Sequence, residues 1–516
     1  MNLLEPSARH REPQVGTTHP PVLIIGAGAA GICLAIHFKK AGIAFRILEK
    51  SERVGGTWRE NIYPGCACDT HIHQYSYSFE TNPNWSRMFA EQPEILAYLE
   101  RCAKKYGLQE HIVFDTEVAE AHFDDQAGTW LVITTEGEEF TARILISAVG
   151  QLNRPVTPDI KGLEDFAGTQ FHSAKWDYEH DLTGKRVAVI GNGASALQFI
   201  PRIAPHVDKL IVFQRSPNWV VPKNDREYGQ LEKWAFRHLP GAARFHRYMI
   251  YWSWEKFWPK FQKDSPAAKN WRDQVDHIMG TQIEDRDLAT RLIPDYPVGC
   301  KRVLLSDDFL EALQRPNVEV VSAPISRIEA GAVVTNDGGA HPADSLILAT
   351  GFRTNEFLAP MKICGRDSRR LDDDWRTGAE AYYGMTVSGY PNFFMLYGPN
   401  TNLGHNSIIF MIECQTAYIR HCIDRVLSDD LLYMDLKRSA QDRFNTTLQS
   451  ELDKTAWAGG CSSWYKTPEG KVVNNWSTNT YRYWWRTRRP DFSDYAMVGG
   501  ETVGTVQEMP REISER

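Results

Sequence analysis

The stretch Val22-Leu23-Ile24-Ile25-Gly26-Ala27-Gly28-Ala29-Ala30-Gly31 decides the fold of this 516-residue chain. A continuous apolar run that leads into Gly-x-Gly-x-x-Gly predicts a buried strand, a tight turn and the start of a helix. The helical pattern continues to Lys40, stops at Gly42 and is followed by a second strand at residues 45–49. Strand, glycine turn, helix and strand together predict a βαβ unit of the kind that binds a dinucleotide.

Each conserved feature of such a turn has a physical role, and this chain supplies them all. Gly26 permits the tight turn, Gly28 lets the backbone approach a pyrophosphate, and Gly31 lets the helix pack closely against the strand. The helix start then offers N–H groups and a positive dipole to the phosphates. Glu49 ends the second strand and can accept hydrogen bonds from ribose hydroxyls. We therefore expect a dinucleotide with an unphosphorylated adenosine ribose here.

The same unit occurs a second time, but without the acid. A strand at 186–190 runs into Gly191-Asn192-Gly193-Ala194-Ser195-Ala196, and a helix and another strand follow. The position that corresponds to Glu49 is Gln214, and Arg215 comes next. A carboxylate would repel a ribose 2′-phosphate, whereas an arginine can pair with it through two hydrogen bonds. The second unit therefore predicts an NADP site, with these contact residues: Gly191, Gly193, Ser195 and Arg215.

Two such units in one chain imply two dinucleotides, and the simplest assignment is FAD in the first and NADPH in the second. Small residues in Gly55-Gly56-Thr57-Trp58 leave room for a bulky ring system, so Gly56, Thr57 and Trp58 are expected at the flavin site. The sequence predicts an α/β fold with two Rossmann-like dinucleotide-binding domains and a helical insert that helps to wall the substrate pocket. The expected boundaries are 1–150 and 355–516 for the FAD domain, 155–222 and 300–350 for the NADP domain, and 223–299 for the insert.

The composition excludes several classes of protein. Of the residues, 42% are hydrophobic and 24% are charged, which is typical of a globular protein. A net charge of −7 argues against binding nucleic acid through bulk charge. No apolar run is long enough to span a bilayer, and residues 1–20 form a loose polar leader without a signal peptide. The nine cysteines lack the spacing of a disulfide framework, so we expect a cytoplasmic protein with no nucleic-acid partner and no membrane insertion.

The C-terminal third is less regular. Residues 405–455 are predicted to be mostly helical, and residues 456–516 are predicted to be irregular. The run at 481–489 interleaves aromatic residues with arginines. A nucleic-acid or membrane-surface strip is one interpretation of this run, but cation–π packing against the FAD domain is favoured because no companion motif accompanies it.

Flavin and NADPH together can reduce a disulfide or carrier, or can activate O2. Cys66 and Cys68 are the candidates for a redox pair, but one residue between them suits neither a redox motif nor a zinc site, so both are interpreted as packing residues. The chain has no His-Glu-x-x-His or Gly-x-Ser-x-Gly motif, and no metal site is predicted. A pure NADPH oxidase, a carrier reductase or a flavin-binding scaffold without turnover remain open alternatives.

The stretch Phe166-Ala167-Gly168-Thr169-Gln170-Phe171-His172-Ser173-Ala174-Lys175-Trp176-Asp177 resembles the fingerprint of Baeyer–Villiger monooxygenases. That fingerprint is Phe-x-Gly-x-x-x-His-x-x-x-Trp followed by Pro or Asp, and every fixed position matches. The sister family of N- and S-oxygenating flavin monooxygenases carries Tyr-Lys in place of Trp176-Asp177. The resemblance covers residues 20–490 and departs at Cys66-Ala67-Cys68 and Thr70-His71-Ile72-His73. It is supported by three further segments: Gly299-Cys300-Lys301-Arg302, Ala349-Thr350-Gly351-Phe352 and Ser463-Trp464-Tyr465.

The resemblance implies an NADPH- and O2-dependent enzyme that converts ketones to esters or lactones. In the family, NADPH-reduced FAD and O2 form a C4a-peroxyflavin, which attacks the ketone carbonyl. Sulfoxidation is an expected side activity, and an N- or S-oxygenating flavin-containing monooxygenase is the alternative. The motif order around Ser306-Asp307-Asp308 resembles a branch that acts on open-chain and aryl ketones.

The same resemblance assigns roles to residues of this chain. Arg302 matches the active-site arginine, which stays charged at any working pH, and Asp69 matches the acid that orients it. Lys301 matches a contact to the NADP 2′-phosphate. Trp464 matches a tryptophan that donates its indole N–H to the nicotinamide ribose. His172 is interpreted as a structural or hinge residue and not as a base.

Overall fold

The computed structural model describes residues 21–499. The predicted leader at 1–20 lies outside the described residues. In chain order, the strands are β1 (Val22–Ile25), β2 (Phe45–Leu48), β3 (Ile112–Val113), β4 (Val118–Asp124), β5 (Thr129–Thr134), β6 (Glu139–Ala142), β7 (Ile144–Ser147), β8 (Thr169–His172), β9 (Arg186–Ile190), β10 (Lys209–Phe213), β11 (Val220–Val221), β12 (Leu304–Leu305), β13 (Val318–Val321), β14 (Ile325–Glu329), β15 (Ala332–Thr335), β16 (Ala340–Pro342), β17 (Ser345–Leu348), β18 (Lys362–Cys364), β19 (Phe393–Met395), β20 (Leu431–Leu436) and β21 (Tyr495–Gly499).

The α-helices are interspersed with these strands, and four of them follow one another between β11 and β12. They are α1 (Ala29–Ala41), α2 (Thr57–Glu60), α3 (Gln92–Lys105), α4 (Ala194–Ile203), α5 (Gln230–His238), α6 (Ala242–Glu255), α7 (Pro266–Gln282), α8 (Arg286–Leu292), α9 (Phe309–Ala312), α10 (Leu371–Asp374), α11 (Ile408–Ser428), α12 (Arg438–Leu452) and α13 (Thr480–Thr487).

The first glycine turn lies in a parallel five-stranded sheet with the order β19-β7-β1-β2-β3. All four residues of β1 are buried, as expected for a strand that is covered on both faces. The helix that follows, α1, ends at Ala41, where Gly42 adopts the left-handed conformation with φ +70° and its N–H bonds the carbonyls of Lys39 and Phe38. The predicted βαβ unit is therefore present, and Gly42 ends the helix as a C-cap.

The second glycine turn lies in another parallel five-stranded sheet, with the order β13-β10-β9-β17-β8. Here α4 follows β9 and leads to β10, so the predicted repeat of the unit is confirmed. Two buried parallel sheets, each with a glycine turn before a helix, confirm the predicted α/β fold class with two Rossmann-like units. Between β11 and β12 the chain forms α5 to α8, which confirms that this segment is helical.

The structure confirms that residues 405–455 are mostly helical, with β20 between α11 and α12. It corrects the prediction for residues 456–516, within which the chain forms α13 and β21. The two strands pair with each other in antiparallel fashion. Each is short, and its partner is about sixty residues away in the sequence, so long-range pairing decides their structure and local pattern does not.

Candidate active site

The first glycine turn has no room for side chains. Gly26 has φ +102°, and a Cβ there would lie 2.8 Å from the carbonyl oxygen of Ala148. A Cβ on Gly31 would lie 2.0 Å from the carbonyl oxygen of Gly26. Any larger residue at either position would therefore push the helix away from the sheet.

Gly28 and Gly56 face each other beside this turn. A Cβ on Gly56 would lie 3.0 Å from Cα of Gly28, and a Cβ on Gly28 would lie 3.6 Å from Cα of Gly56. No side chain of the described residues caps the helix start at Gly28, so its first N–H groups can bind an anion. The backbone thus forms a cradle without side chains, which suits a pyrophosphate.

Glu49 lies directly after β2 and is buried. Its Oε2 accepts a hydrogen bond from the Ala27 N–H at 2.6 Å, and its Oε1 accepts one from the Ser51 N–H at 3.1 Å. The carboxylate is therefore fixed against the glycine turn. Each oxygen has a second lone pair with which it can accept a hydrogen bond from a ribose hydroxyl.

The second glycine turn repeats this backbone but not its surroundings. Gly191 has φ +108°, and a Cβ there would lie 2.4 Å from the carbonyl oxygen of Ala349. A Cβ on Gly193, in contrast, would meet no described atom within 4 Å. Asn192 closes the turn by donating from Nδ2 to the Gln214 side chain and to the Ser216 carbonyl, both at 3.1 Å. Open space therefore borders this turn where a bound nucleotide would approach.

A cavity of about 1060 Å³ connects the two units. Most of the predicted site residues line it, namely Thr57, Trp58, Asp69, Gly191, Gly193, Ser195, Arg215, Lys301, Arg302 and Trp464. The remaining five surround the first glycine turn and the facing loop and are not part of this lining: Gly26, Gly28, Gly31, Glu49 and Gly56.

The helical insert does not wall this cavity as expected. Its residues are absent from the described lining. Asp295, Tyr296 and Pro297 of the insert line a neighbouring cavity of about 480 Å³, which Arg215 and Lys301 also line. The insert is held away because its inner side packs on the segment around residues 71–76 and on the start of α11. Only its last residues therefore reach the site, at the nucleotide end.

Arg302 and Asp69 form an ion pair inside the main cavity. Nε and Nη2 of Arg302 donate to Oδ2 of Asp69 at 2.9 and 2.6 Å. The two side chains are 29% and 30% exposed, and that exposure faces the cavity. Asp69 thus orients the guanidinium from one side and leaves Nη1 directed towards the Leu403 carbonyl at 3.4 Å.

The surroundings keep Arg302 charged. Burial opposes the charge, but Asp69 and the phenols of Tyr465 and Tyr397 favour it, so the pKa of Arg302 is raised above its ordinary value. A permanent cation in a partly buried cavity can stabilise negative charge that develops on a bound oxygen atom. This is the chemistry that the arrangement offers.

Lys301 extends in the opposite direction from its neighbour. Its Nζ donates to Ser216 Oγ at 2.6 Å and lies 4.6 Å from the centre of the Tyr296 ring. Burial, together with the nearby charge of Arg215, lowers the pKa of Lys301. Two cations therefore meet beside the second glycine turn, where an anion would relieve their repulsion.

Sequence reasoning missed a disulfide next to these residues. Cys300 and Cys461 are bonded, although 161 residues separate them. The bond joins the Lys301–Arg302 segment to the loop that leads to Trp464. No spacing rule predicts such a distant pair. The remaining seven cysteines are free, Cys66 and Cys68 among them, and burial raises the pKa of the Cys66 thiol to about 12. Both thiols are therefore poor redox groups, which agrees with their interpretation as packing residues.

The fingerprint residues have structural contacts. His172 is buried, its Nδ1 accepts the Ala174 N–H at 3.0 Å, and burial lowers its pKa. A Cβ on Gly168 would lie 2.4 Å from the Asp344 carbonyl oxygen. Trp176 packs against Phe199 with ring centres 5.1 Å apart. These contacts support the interpretation of His172 as a structural residue.

Tyr397 and Tyr465 are functional candidates that the sequence did not single out. Both are near enough to Arg302 to affect its charge, and Tyr397 donates from Oη to Asn402 Oδ1 at 2.9 Å. Tyr465 lies in the Ser463-Trp464-Tyr465 segment that supports the family resemblance, but without a role of its own, and Tyr397 belongs to no motif. Within residues 21–499 no group of three or more His, Cys, Asp or Glu side chains could hold a metal ion. In the same range no helix is long and apolar enough to cross a bilayer.

Comparison with known proteins identifies the family of this chain. Residues 23–239 match the family model for pyridine nucleotide-disulphide oxidoreductases. A Baeyer–Villiger monooxygenase of Pseudomonas aeruginosa is 42% identical over 93% of this chain and 92% of its own length. A Baeyer–Villiger monooxygenase of Streptomyces coelicolor is 40% identical over 93% of both chains.

Solved structures give the same result. A closed cyclohexanone monooxygenase superposes with a TM-score of 0.85 and 27% identity over 94% of this chain and all of its own. An oxidized steroid monooxygenase bound to NADP superposes with a TM-score of 0.83 and 28% identity over 93% of this chain and all of its own. The N- or S-oxygenating alternative is not favoured by these relatives, and the predicted family is confirmed. The chain belongs to the Baeyer–Villiger monooxygenases.

Proposed function

We propose that this flavin-dependent Baeyer–Villiger monooxygenase binds FAD at the first glycine turn and NADPH at the second, and oxygenates an open-chain or aryl ketone in the cavity between them. The observation that carries the proposal is the cavity itself, because it joins the second glycine turn to the Arg302–Asp69 pair. O2 and a ketone are the substrates of this reaction.

The first unit fits FAD. Gly28 and Gly56 provide the side-chain-free cradle for a pyrophosphate, and Glu49 provides a fixed acceptor for the ribose. Thr57 and Trp58 start the short α2 and line the cavity, where the flavin ring would lie. Solved relatives support this, since one, described as OTEMO, was determined in complex with FAD and NADP.

The second unit fits NADPH. Gly193 borders open space, Ser195 lines the cavity, and Arg215 and Lys301 converge at its edge. Two cations beside a turn without an acid suit the 2′-phosphate of this nucleotide and disfavour NADH. Trp464 lines the same cavity, and we assign it to the nicotinamide ribose.

When bound, the reduced flavin supplies the electrons that activate O2. The residues of this chain supply the electrostatic environment. Arg302 places a permanent positive charge where oxygen-centred negative charge develops, and Asp69 fixes the direction of that charge through two hydrogen bonds. Asp69 also neutralises part of the arginine charge, so the pair sets how much positive charge the cavity carries.

The domain boundaries are part of the proposal. We assign 1–150 and 355–516 to the FAD domain, because β19 joins the sheet that contains β1. We assign 155–222 and 300–350 to the NADP domain, because β13 and β17 join the sheet that contains β9. We keep the cytoplasm as the proposed location because the chain has no multi-disulfide framework: seven of the nine cysteines are free and one pair, Cys300–Cys461, is bonded.

The preference for open-chain and aryl ketones is supported by the family resemblance and by the aromatic lining of the cavity, which includes Tyr63, Tyr75, Phe352 and Tyr397. Sulfoxidation is proposed as a side activity of the same site.

A product assay tests the proposal. The purified FAD-loaded chain is given NADPH, O2 and, in turn, 2-octanone, acetophenone, cyclohexanone, thioanisole and a primary amine. We expect esters from the first two ketones at a higher kcat/KM than lactone from the third, and sulfoxide from the sulfide. Hydroxylation of the amine without any ester would contradict the proposal, and a clear preference for cyclohexanone would contradict its substrate class.

A further inference from the structure

One exposed surface of the molecule is formed mainly by large apolar side chains. We name it the aromatic face, and its members are 39–66% exposed. Four come from α6 of the insert and two from α13 near the C-terminus: Phe245, Tyr248, Met249, Trp252, Tyr481 and Trp485. Apolar residues are common singly on protein surfaces, but a continuous group of this size marks an interaction site.

Helical spacing and one aromatic contact make the aromatic face continuous. Phe245, Tyr248, Met249 and Trp252 follow the i, i+3, i+4, i+7 pattern, which places them on one side of α6. The ring centre of Trp252 lies 6.2 Å from that of Tyr481. Trp485 is one helical turn beyond Tyr481, so the surface extends from α6 onto α13.

The opposite side of α6 is firmly attached to the protein. Arg247 donates from Nη1 to the carbonyls of His73 and Ser76 at 2.6 and 2.7 Å. Glu255 is buried and accepts from Asn406 Nδ2 at 2.8 Å and from Asn479 Nδ2 at 3.0 Å. These bonds fix the rotation of the helix. The exposure of the aromatic face is therefore built into the fold.

The charge around the aromatic face differs from that of the rest of the chain. Residues 229–263 contain two Glu and seven Lys or Arg, six of them besides the inward-facing Arg247, whereas the whole chain has a net charge of −7. Both Glu are neutralised or buried, because Glu232 pairs with Arg226 and Glu255 lies in the interior. The local surface is therefore basic in an acidic protein.

Four exposed cations are close in sequence to the aromatic face: Arg244, Lys256, Arg482 and Arg488. Arg488 lies 3.6 Å above the ring of Trp485. Within residues 21–499 none of the four forms an ion pair. Their charges are thus available to an anionic partner.

We propose that the aromatic face docks on the surface of an anionic lipid bilayer. Phe, Tyr, Trp and Met side chains that project from a helix enter the boundary between headgroups and acyl chains, while neighbouring Lys and Arg contact anionic headgroups. This mode of binding needs no helix that spans the membrane. It extends the activity proposed above but does not depend on it.

Charge argues against the other occupants. A second copy of the chain would bring two basic faces together, and like charges oppose that contact. Nucleic acid would attract the cations, but its backbone offers no apolar environment for Phe245 and Met249. An anionic bilayer matches both the apolar and the basic part of the aromatic face.

Vesicle flotation of the FAD-loaded full chain tests the proposal. The vesicles contain either phosphatidylcholine alone or phosphatidylcholine with an equal amount of phosphatidylglycerol. We expect the protein to float with the mixed vesicles at low salt, to float far less with the neutral ones, and to lose most of its binding at high salt because headgroup contacts are screened.

Two variants and a matched control separate the contributions. The charge variant carries Arg244→Glu, Lys256→Glu and Arg488→Glu, and the control carries Lys161→Glu, Arg286→Glu and Arg315→Glu, which are exposed cations of other elements. The apolar variant carries Phe245→Ser, Met249→Ser and Trp485→Ser. We expect the charge variant and the apolar variant to lose at least about tenfold in vesicle partitioning and the control to lose little. Flavin content and ketone turnover without vesicles should match the parent in all three, which shows that they are folded.

Three outcomes would overturn the proposal. The parent could fail to bind the mixed vesicles at low salt. The charge variant and the control could bind equally well. The parent could be a dimer by light scattering that the apolar variant converts to a monomer, which would assign the aromatic face to a second copy.

Discussion

Glu49 and Gln214 occupy equivalent places in the two glycine-turn units, yet they leave different charges beside their nucleotides. The backbone around them is the same, since Gly26 donates to Leu48 at 2.8 Å and Gly191 donates to Phe213 at 2.9 Å. Both side chains are buried. Glu49 turns its carboxylate to the glycine turn. The side chain of Gln214 instead accepts a hydrogen bond from Asn192 and donates one to the carbonyl of Arg291.

Under the assignment proposed above, one scaffold serves two nucleotides through the residues at the end of a single strand. In the first unit a fixed negative charge favours free ribose hydroxyls. In the second unit an amide replaces it, and Arg215 and Lys301 bring positive charge to the same edge. We infer that selectivity lies in the side chains and phosphate binding in the backbone. The four predictions below test this division.

The largest effect is expected when a methyl group is added to the first glycine turn. In Gly31→Ala the new Cβ would lie 2.0 Å from a backbone oxygen, so α1 must shift and the cradle is lost. We expect a chain that is purified without FAD or does not fold. Gly193→Ala is the matched variant of the second unit, where the Cβ meets open space. It should retain FAD and show only a raised KM for NADPH, as measured by flavin absorbance and steady-state kinetics. Full flavin content in Gly31→Ala would contradict this account.

The next largest effect is expected at the adjacent residues Lys301 and Arg302, of which the first contacts the second unit and the other contacts Asp69. Arg302→Ala removes the cation beside Asp69 and should lower ester formation by about 100-fold or more while FAD remains bound. Lys301→Ala is the neighbouring control and should raise the KM for NADPH with a smaller change in ester yield at saturating nucleotide. Stopped-flow and product assays on both variants separate the roles. Normal ester formation by Arg302→Ala would refute its role.

A smaller effect is expected at the edge of the second unit. Arg215→Ala removes one of two cations that face the 2′-phosphate and should weaken NADPH binding about 10- to 100-fold. NADH binding should change little, so the ratio of the two kcat/KM values falls. Arg315→Ala, an exposed arginine elsewhere, is the control. An unchanged ratio would show that Arg215 does not read the phosphate.

The smallest effect is expected from the disulfide that ties the two sides of the nucleotide edge. Cys300→Ser frees the loop that carries Trp464, and the KM for NADPH should rise by less than about tenfold. Cys364→Ser changes a cysteine that is free in the structure and serves as the control. Flavin content should be equal in both. A loss of FAD from Cys300→Ser would mean that the bond supports the first unit as well.

The sequence was sufficient for the two units because their signals are local. The glycine motifs and the apolar runs of β1 and β9 can be recognised from a few adjacent residues. This holds although the backbone that crowds Gly26 and Gly191 belongs to a neighbouring strand that is distant in the sequence. The Arg302–Asp69 pair could be proposed only from the family resemblance, since 233 residues separate its members.

Features that depend on distant pairing were missed. The bond between Cys300 and Cys461 leaves no trace in local spacing, and β20 forms only because β21 pairs with it. The expected role of the insert as a cavity wall also failed, because its inner side is occupied by contacts with residues 71–76 and with α11. Helical pattern identifies the elements of an insert but not the surface to which they attach.

Lys301 and Arg302 share one peptide bond but reach into different halves of the enzyme. A movement of this segment large enough to take Lys301 away from Ser216 would also withdraw Arg302 from Asp69. If Lys301 holds the coenzyme as proposed, release of the coenzyme and loss of the Arg302–Asp69 contact would then be coupled. Such coupling would keep the coenzyme bound until the oxygenation is complete, without a further regulatory element.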